Sequence, residues 1–205
     1  MSMNEEIKSL DHIEFESKYR VEQSILLPFK LIVEKMSTFK EFVYAEGPDE
    51  YFIKDSLFAR YRKEANKGPN ARAELTIKIK PEGAKNNIIR EEYNVRVDST
   101  PRETIVKFLS ALGFKHNFTV MKSCFIYRMT DATLVFYTVA DVTDGSLKGE
   151  DHFVEIEVSE ELIHAMTESQ AWEILTRYEK LLEPLGLNAQ RRLKKSLFEM
   201  YRKDK

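Results

Sequence analysis

Apolar and ionisable residues alternate with period two through much of the chain. Between His12 and Glu22, the odd positions hold Ile13, Phe15, Ser17, Tyr19 and Val21. The even positions hold His12, Glu14, Glu16, Lys18, Arg20 and Glu22. Successive side chains of a strand point to opposite faces, so this segment predicts a strand with one oily face and one charged face. The split recurs. In Ala73–Lys80, Ala73, Leu75, Ile77 and Ile79 oppose Glu74, Thr76, Lys78 and Lys80. In Ile89–Val97, Ile89, Tyr93, Val95 and Val97 oppose Arg90, Glu92, Asn94 and Arg96. Ala59 and Tyr61 oppose Arg60 and Arg62, and Val154, Ile156 and Val158 oppose Glu155 and Glu157.

Helical spacing interrupts the strands. Apolar residues at 25, 29, 32, 33, 36, 39 and 43 predict a helix from Ile25 to Val43. TPRE at 100–103 reads as a capping box opening a helix whose face is Ile105, Phe108, Leu109 and Leu112, stopped by Gly113. Trp172, Leu175, Leu181, Leu182 and Leu185 predict a helix over 169–185, ended by Gly186. The basic segment from Ala189 to Lys203 reads as a last helix. Gly/Asn-containing stretches at 66–72, 82–87 and 144–151 read as turns. With no linker or repeat in 205 residues, residues 1–205 read as a single domain.

A sheet with one wet face explains charge, but not its sorting by strand. Carboxylates come in i, i+2 pairs at both ends of the chain (Glu14/Glu16, Glu155/Glu157), and bases in i, i+2 pairs in the middle (Arg60/Arg62, Lys78/Lys80). If the sheet closes with its oily side outward under helices, the charges line the interior. That inverts the ordinary small barrel and calls for an ionic occupant, because unpaired buried charge is costly. Arg and Lys suit a polyanion. Clustered Glu tolerates that anion when a hard cation sits between them, and Mg²⁺ or Mn²⁺ binds carboxylates together with phosphates.

Composition narrows the classes. The 32 basic and 34 acidic residues give a net charge of −2, which argues against nucleic-acid binding through bulk charge. No apolar run approaches the ~20 residues that span a bilayer, and the first residues show no basic-then-apolar signal pattern. Cys124 is the single cysteine, so neither an internal disulfide nor a cysteine-rich zinc site is available. The expectation is a soluble, cytoplasmic protein. The histidines at 12, 116, 152 and 164 show no metal-ligand spacing.

The stretch Glu14–Lys18 (EFESK) resembles the ExExK signature of the CYTH superfamily, the triphosphate tunnel metalloenzymes. Further elements follow in family order. Asp49–Phe52 (DEYF) resembles the second-strand DxYF segment, Ala59–Arg62 (ARYR) the LRxR strand, and Leu75–Lys80 (LTIKIK) the lysine strand. Arg90–Glu92 resembles the RxE strand, and Lys122 falls in the KxR strand. Asp141 and Val142 resemble the LDxV strand, Phe153–Glu157 (FVEIE) the closing FxExE strand, and Lys195–Ser196 the late (K/R)SY element. There are two departures: Cys124 stands where the KxR arginine belongs, and Asn94 where a second carboxylate often follows the RxE glutamate. Arg96 and Arg128 are candidates to compensate.

The resemblance implies an α+β fold, an eight-stranded antiparallel tunnel with a charged interior wrapped by helices. It also implies a Mg²⁺- or Mn²⁺-dependent hydrolase of triphosphates: inorganic tripolyphosphate, thiamine triphosphate or nucleoside triphosphates. Carried onto this chain, Glu14, Glu16, Asp141, Glu155 and Glu157 become candidate metal ligands. Lys18, Arg60, Arg62, Lys78, Lys80, Arg90, Lys122 and Lys195 become candidate phosphate ligands, and Glu92, Lys78 and Arg60 the candidate catalytic set. A small-molecule triphosphate is the expected partner, with no membrane, and nucleic acid enters only as an RNA 5′-triphosphate end. The alternatives are a class IV-type adenylate cyclase, in which the ribose hydroxyl attacks in place of water, and a non-enzymatic triphosphate- or polyphosphate-binding domain.

Overall fold

The computed structural model of the chain describes residues 13–55, 57–65, 71–79, 89–145, 148–163 and 165–203. Eight strands form one closed antiparallel barrel: β1 (Ile13–Val21), β2 (Phe39–Lys54), β3 (Leu57–Lys63), β4 (Ala73–Ile79), β5 (Ile89–Arg96), β6 (Lys115–Met129), β7 (Ala132–Asp141) and β8 (Lys148–Val158). Around the barrel the order is β1-β5-β4-β3-β2-β6-β7-β8. The helices are α1 (Leu26–Val33), α2 (Arg102–Ala111), α3 (Glu160–Ile163), α4 (Glu168–Leu182) and α5 (Leu197–Tyr201). Among the described residues, no helix is long and apolar enough to cross a membrane.

Period-two patterning puts the oily faces outward, as the alternation predicts. Phe15 and Tyr19 of β1, Leu134 and Phe136 of β7, and Val154 and Ile156 of β8 are buried under Leu175, Tyr178 and Leu182 of α4 and Phe29 and Val33 of α1. Each such ring or branched side chain removed from water stabilises the fold by about 1.5–3 kcal/mol. Across the barrel, Ile105 and Leu109 of α2 cover Phe52, Ala59, Tyr61 and Ala73.

A third apolar cluster lies inside the barrel. Tyr51, Phe118, Val120, Val139 and Phe153 point inward at one end, and Leu197 and Phe198 of α5 pack onto them. Phe198 stacks on Phe58, with centroids 4.3 Å apart and planes 10° apart, while Tyr51 stacks on Phe118 at 4.4 Å. The interior is therefore charged over one part of its depth and aromatic over the rest. α5 begins with a capping box between Ser196 and Glu199. The segment leading to it is fixed by Leu193 N–H donating to the Lys18 carbonyl at 2.8 Å, and Arg192 grips the buried Glu179 of α4.

Several helix expectations are corrected. The predicted Ile25–Val43 helix ends at Val33, and Phe39–Val43 belong to β2. The apolar positions at 39 and 43 fit both periods, and the aromatic-rich FKEFVY run satisfies the ladder to β6 instead. The Thr100 capping box does not form: α2 starts after Pro101, with no side-chain cap. Gly113, at φ 88°, does end that helix. The 169–185 helix runs as α4 with a single-turn extension to Leu185, and its capping box is Thr167 with Gln170. Residues 189–203 are not one helix but a short turn at Ala189–Arg191 followed by α5.

Gly47 marks a close crossing of β2 and the end of β3. A Cβ there would lie 2.0 Å from the Lys63 carbonyl oxygen, and Ala65 N–H bonds the Glu46 carbonyl at 2.6 Å. The obstacle is backbone, so the strands themselves must part. Gly47→Ala is expected to destabilise the protein by about 2 kcal/mol or more, seen as a lower urea midpoint with an unchanged slope. An unshifted midpoint would show that the crossing is slack.

Candidate triphosphate-binding tunnel

The inward faces of the strands meet in a cavity of about 270 Å³. Its lining includes Glu14, Glu16 and Lys18 from β1, Arg60 and Arg62 from β3, Lys78 from β4, Glu92 from β5, Lys122 from β6, and Glu155 and Glu157 from β8. The pairing explains the convergence. Glu16 lies opposite Glu157 and Lys18 opposite Glu155 across β1–β8; Lys78 lies opposite Glu92 across β4–β5. Like charges two residues apart share a face, and the closed ladder brings that face to the others.

The charges are neutralised internally. Lys78 Nζ lies 2.6 Å from Glu14 Oε2 and 2.6 Å from Glu92 Oε2. Lys18 Nζ lies 2.8 Å from Glu155 Oε1 and 3.4 Å from Glu16 Oε1. Arg60 donates to Thr76 Oγ1 at 3.0 Å and to Glu74 at 3.3 Å, with Glu92 at 3.7 Å. Among the described residues its buried Nε finds no acceptor. Tyr137 donates to Glu155 at 2.7 Å, and the Lys122 ammonium sits 3.7 Å from the centroid of the Tyr137 ring.

Electrostatics divides the carboxylates. Burial works to raise Glu92, yet Lys78 and Arg60 hold it well below the usual range; Lys18 and Lys122 do the same for Glu155 against its burial. Glu157 goes the other way. Burial and the carboxylates of Glu14, Glu16 and Glu92 push it well above the usual range, with Lys78 only partly offsetting them. Lys78 is raised despite burial, because Glu14, Glu92 and Glu16 surround it. Glu157, in the field of three other glutamates and too crowded to ionise readily, is a carboxylate that a hard divalent cation nearby would relieve. Among the described residues, no three carboxylate, His or Cys groups converge on a metal position as the side chains stand. Glu14, Glu92 and Glu155 are turned to their lysines instead.

Asp141 does not join the others. It accepts from the Thr143 N–H at 2.9 Å and lies 3.5 Å from Lys203, at the barrel end under α5. Lys195 is exposed and absent from the cavity lining. Lys80 and the Arg90 side chain, like His12 and His164, fall outside the described residues; the Arg90 backbone pairs with Glu14. The charge pattern overlooks Asp49 and Tyr137. Asp49 is wholly buried and takes a bidentate fork from Arg62 at 2.6 Å in both arms. The signal for it was present in the DxYF match. Tyr137 was hidden in an apolar run.

No protein-family model matches the chain, and no curated protein matches it. Solved structures do. A conserved hypothetical protein from Pyrococcus furiosus is 25% identical, with a TM-score of 0.66 over 91% of this chain and 98% of that one. An adenylate-cyclase candidate from Vibrio parahaemolyticus is 19% identical, with a TM-score of 0.60 over 92% of this chain and 97% of that one. The Schizosaccharomyces pombe RNA triphosphatase Pct1 is 12% identical, with a TM-score of 0.50 over 90% of this chain and 86% of that one. The chain has the barrel fold of these proteins. Likeness at such identities establishes the fold and leaves activity to the site.

The Asp49–Arg62 pair gives a pH-dependent test. Burial alone would raise Asp49, but Arg62, with Arg60 and Lys122 behind it, holds the carboxyl below its ordinary value. A depressed carboxyl stabilises the fold fully above its unfolded pKa of about 4 and loses that contribution as pH falls through the folded value. Arg62 is 32% exposed, so Asp49→Asn is expected to cost about 2–3 kcal/mol at pH 7, somewhat less than breaking a fully buried pair. Urea unfolding at several pH values should show the gap between variant and wild type narrowing below about pH 4. A gap independent of pH would remove the ion pair from the account.

Proposed function

We propose that this protein is a divalent-metal-dependent hydrolase of triphosphate compounds bound within the barrel. The observation that carries the reading is a single cavity holding Glu14, Glu16, Glu155 and Glu157 together with Lys18, Arg60, Arg62, Lys78 and Lys122. The buried Arg60 Nε without a protein acceptor supports an anionic ligand at that depth. The fold's occurrence in an RNA triphosphatase agrees with it.

In this reading Glu14, Glu16, Glu155 and Glu157 hold Mg²⁺ or Mn²⁺, and the metal, when bound, neutralises phosphate charge and orients the chain. Asp141, Lys80, Arg90 and Lys195 have no part in the proposal. Arg60, Arg62 and Lys122 hold phosphate oxygens. Lys78 exchanges one of its two carboxylate partners for phosphate and stabilises the charge that develops as the anhydride breaks. Glu92, held ionised by Lys78 and Arg60, accepts a hydrogen bond from the attacking water and orients it. Its depressed pKa suits it to positioning rather than to keeping the proton.

Incubation with tripolyphosphate, ATP or thiamine triphosphate in Mg²⁺ and Mn²⁺ is expected to release orthophosphate, and a chelator should stop it. Glu16→Ala and Arg60→Ala should each lower kcat/KM by about 100-fold or more. Cyclic AMP with matching pyrophosphate would replace the hydrolase by a cyclase, a possibility kept open by the fold's occurrence in an adenylate-cyclase candidate. Chelator-resistant turnover, or wild-type activity in Glu16→Ala, would defeat the metal assignment.

A further inference from the structure

We infer that Tyr137 is a positioning residue of the tunnel, holding the Glu155 carboxylate and the Lys122 ammonium in place without cancelling the charge of either. The inference rests on the metal–triphosphate reading above, in which Glu155 holds the cation and Lys122 holds phosphate. It deepens that reading by assigning the group that aims both.

The strand register puts Tyr137 where it reaches both. On β7 it lies opposite Cys124 of β6 and Phe153 of β8. Lys122 and Glu155 are each two residues along from those partners, on the same inward face, and such diagonal neighbours are within reach of an aromatic side chain. On one side the hydroxyl donates to Glu155 Oε1 at 2.7 Å. On the other the ring carries Lys122 Nζ at 3.7 Å from its centroid. The ring itself is fixed. It is wholly buried, and Phe153 stacks beside it with centroids 5.2 Å apart and planes 24° apart.

The kind of contact is what matters. Lys18 and Lys78 are held by carboxylates, so their charge is neutralised until a partner leaves. A ring face attracts an ammonium through its quadrupole and carries no net charge. Lys122 is thereby located inside the barrel with its full charge still available to phosphate. Glu155 shows the converse. Lys18 also grips Oε1, at 2.8 Å, but that ammonium repels a cation and gives way when one binds. The phenol is neutral at pH 7 and stays. Both contacts are to Oε1, which leaves the other oxygen to coordinate. Carboxylates that bind metals are commonly oriented by such a donor, and losing it costs about 10–100-fold in metal affinity. Phenylalanine at this position would keep the ring and lose the donor; leucine would lose both.

The test is calorimetric titration of the full-length wild type, Tyr137→Phe and Tyr137→Leu, first with Mn²⁺ alone and then with tripolyphosphate at saturating Mn²⁺. Tyr137→Phe is expected to weaken Mn²⁺ binding by about 10-fold or more, while tripolyphosphate binding stays within about threefold of wild type. Tyr137→Leu, its fold checked by circular dichroism, should weaken Mn²⁺ binding as much and tripolyphosphate binding by about 10-fold as well. A residue that merely packs would lower the urea midpoint of both variants without separating the two affinities. Unchanged Mn²⁺ affinity in Tyr137→Phe overturns the inference. So does a tripolyphosphate affinity that is the same in the phenylalanine and leucine variants. Both outcomes leave the metal–triphosphate reading standing. A wild type that fails to bind Mn²⁺, or tripolyphosphate in its presence, would instead sink that reading. The phenylalanine variant preserves the packing and decides the matter even where the leucine variant does not fold.

Discussion

The interior of this barrel depends on shared ion pairs. Lys78 serves two glutamates from different strands, Glu14 and Glu92, and Lys18 serves Glu155 and Glu16. Neither lysine nor its partners could be buried alone, because desolvating a single charge costs more than any one contact returns. Together they tie β4 to β5 and β1, and β1 to β8, four consecutive strands of the barrel. The same economy makes the site exchangeable. Each carboxylate released from a lysine is available to a cation, and each lysine released is available to an anion. The metal–phosphate complex proposed above would satisfy both at once.

The aromatic end supplies what the charged end cannot. Ion pairs balance charge but contribute little net stability. Apolar packing does contribute, and it is found under α4 and α1, under α2, and inside the barrel beneath α5. Tyr137 joins the two regimes. Its ring packs near Phe153 and carries the Lys122 ammonium, while its hydroxyl donates to Glu155. Tyr137 thus links the aromatic end to the charged layer.

How much was legible in the sequence follows from this division. Where one face is charged and the other oily, as in β1 and β4, alternation reveals both the strand and the direction of each side chain. Nine of the candidate site residues were placed that way and do line the cavity, and Lys122, placed by its motif, lines it too. In β7 the run Leu134–Ala140 has apolar residues on both faces, with Val135, Tyr137 and Val139 inward and Leu134 and Phe136 outward. The period vanishes there, and with it any sign that part of the interior is aromatic. Asp141 sits just past that run. Motif position alone grouped it with the glutamates, but it lies at the aromatic end with Lys203. The stripe from Ile25 to Val43 misled for a related reason: a few apolar positions fit both periods, and pairing of Phe39–Ile53 with β6 decided the outcome.

The two departures from the family pattern acquire physical content in this setting. Asn94 accepts the Thr76 hydroxyl at 2.7 Å, and Thr76 in turn accepts from Arg60. A carboxylate at 94, which lines the same cavity, would add negative charge beside Glu92 and Glu74; the neutral amide does not. Cys124 is buried, and burial pushes its thiol up against the opposing pull of Lys122 and Arg62, so it stays neutral. With Ala45, Gly47 and Ile126 it forms an apolar wall facing the cations at the mouth. Both changes remove charge from the same half of the tunnel without breaking its pairing. In the proposed reading, phosphate binding then falls to Arg60, Arg62, Lys78 and Lys122, cations that line the cavity.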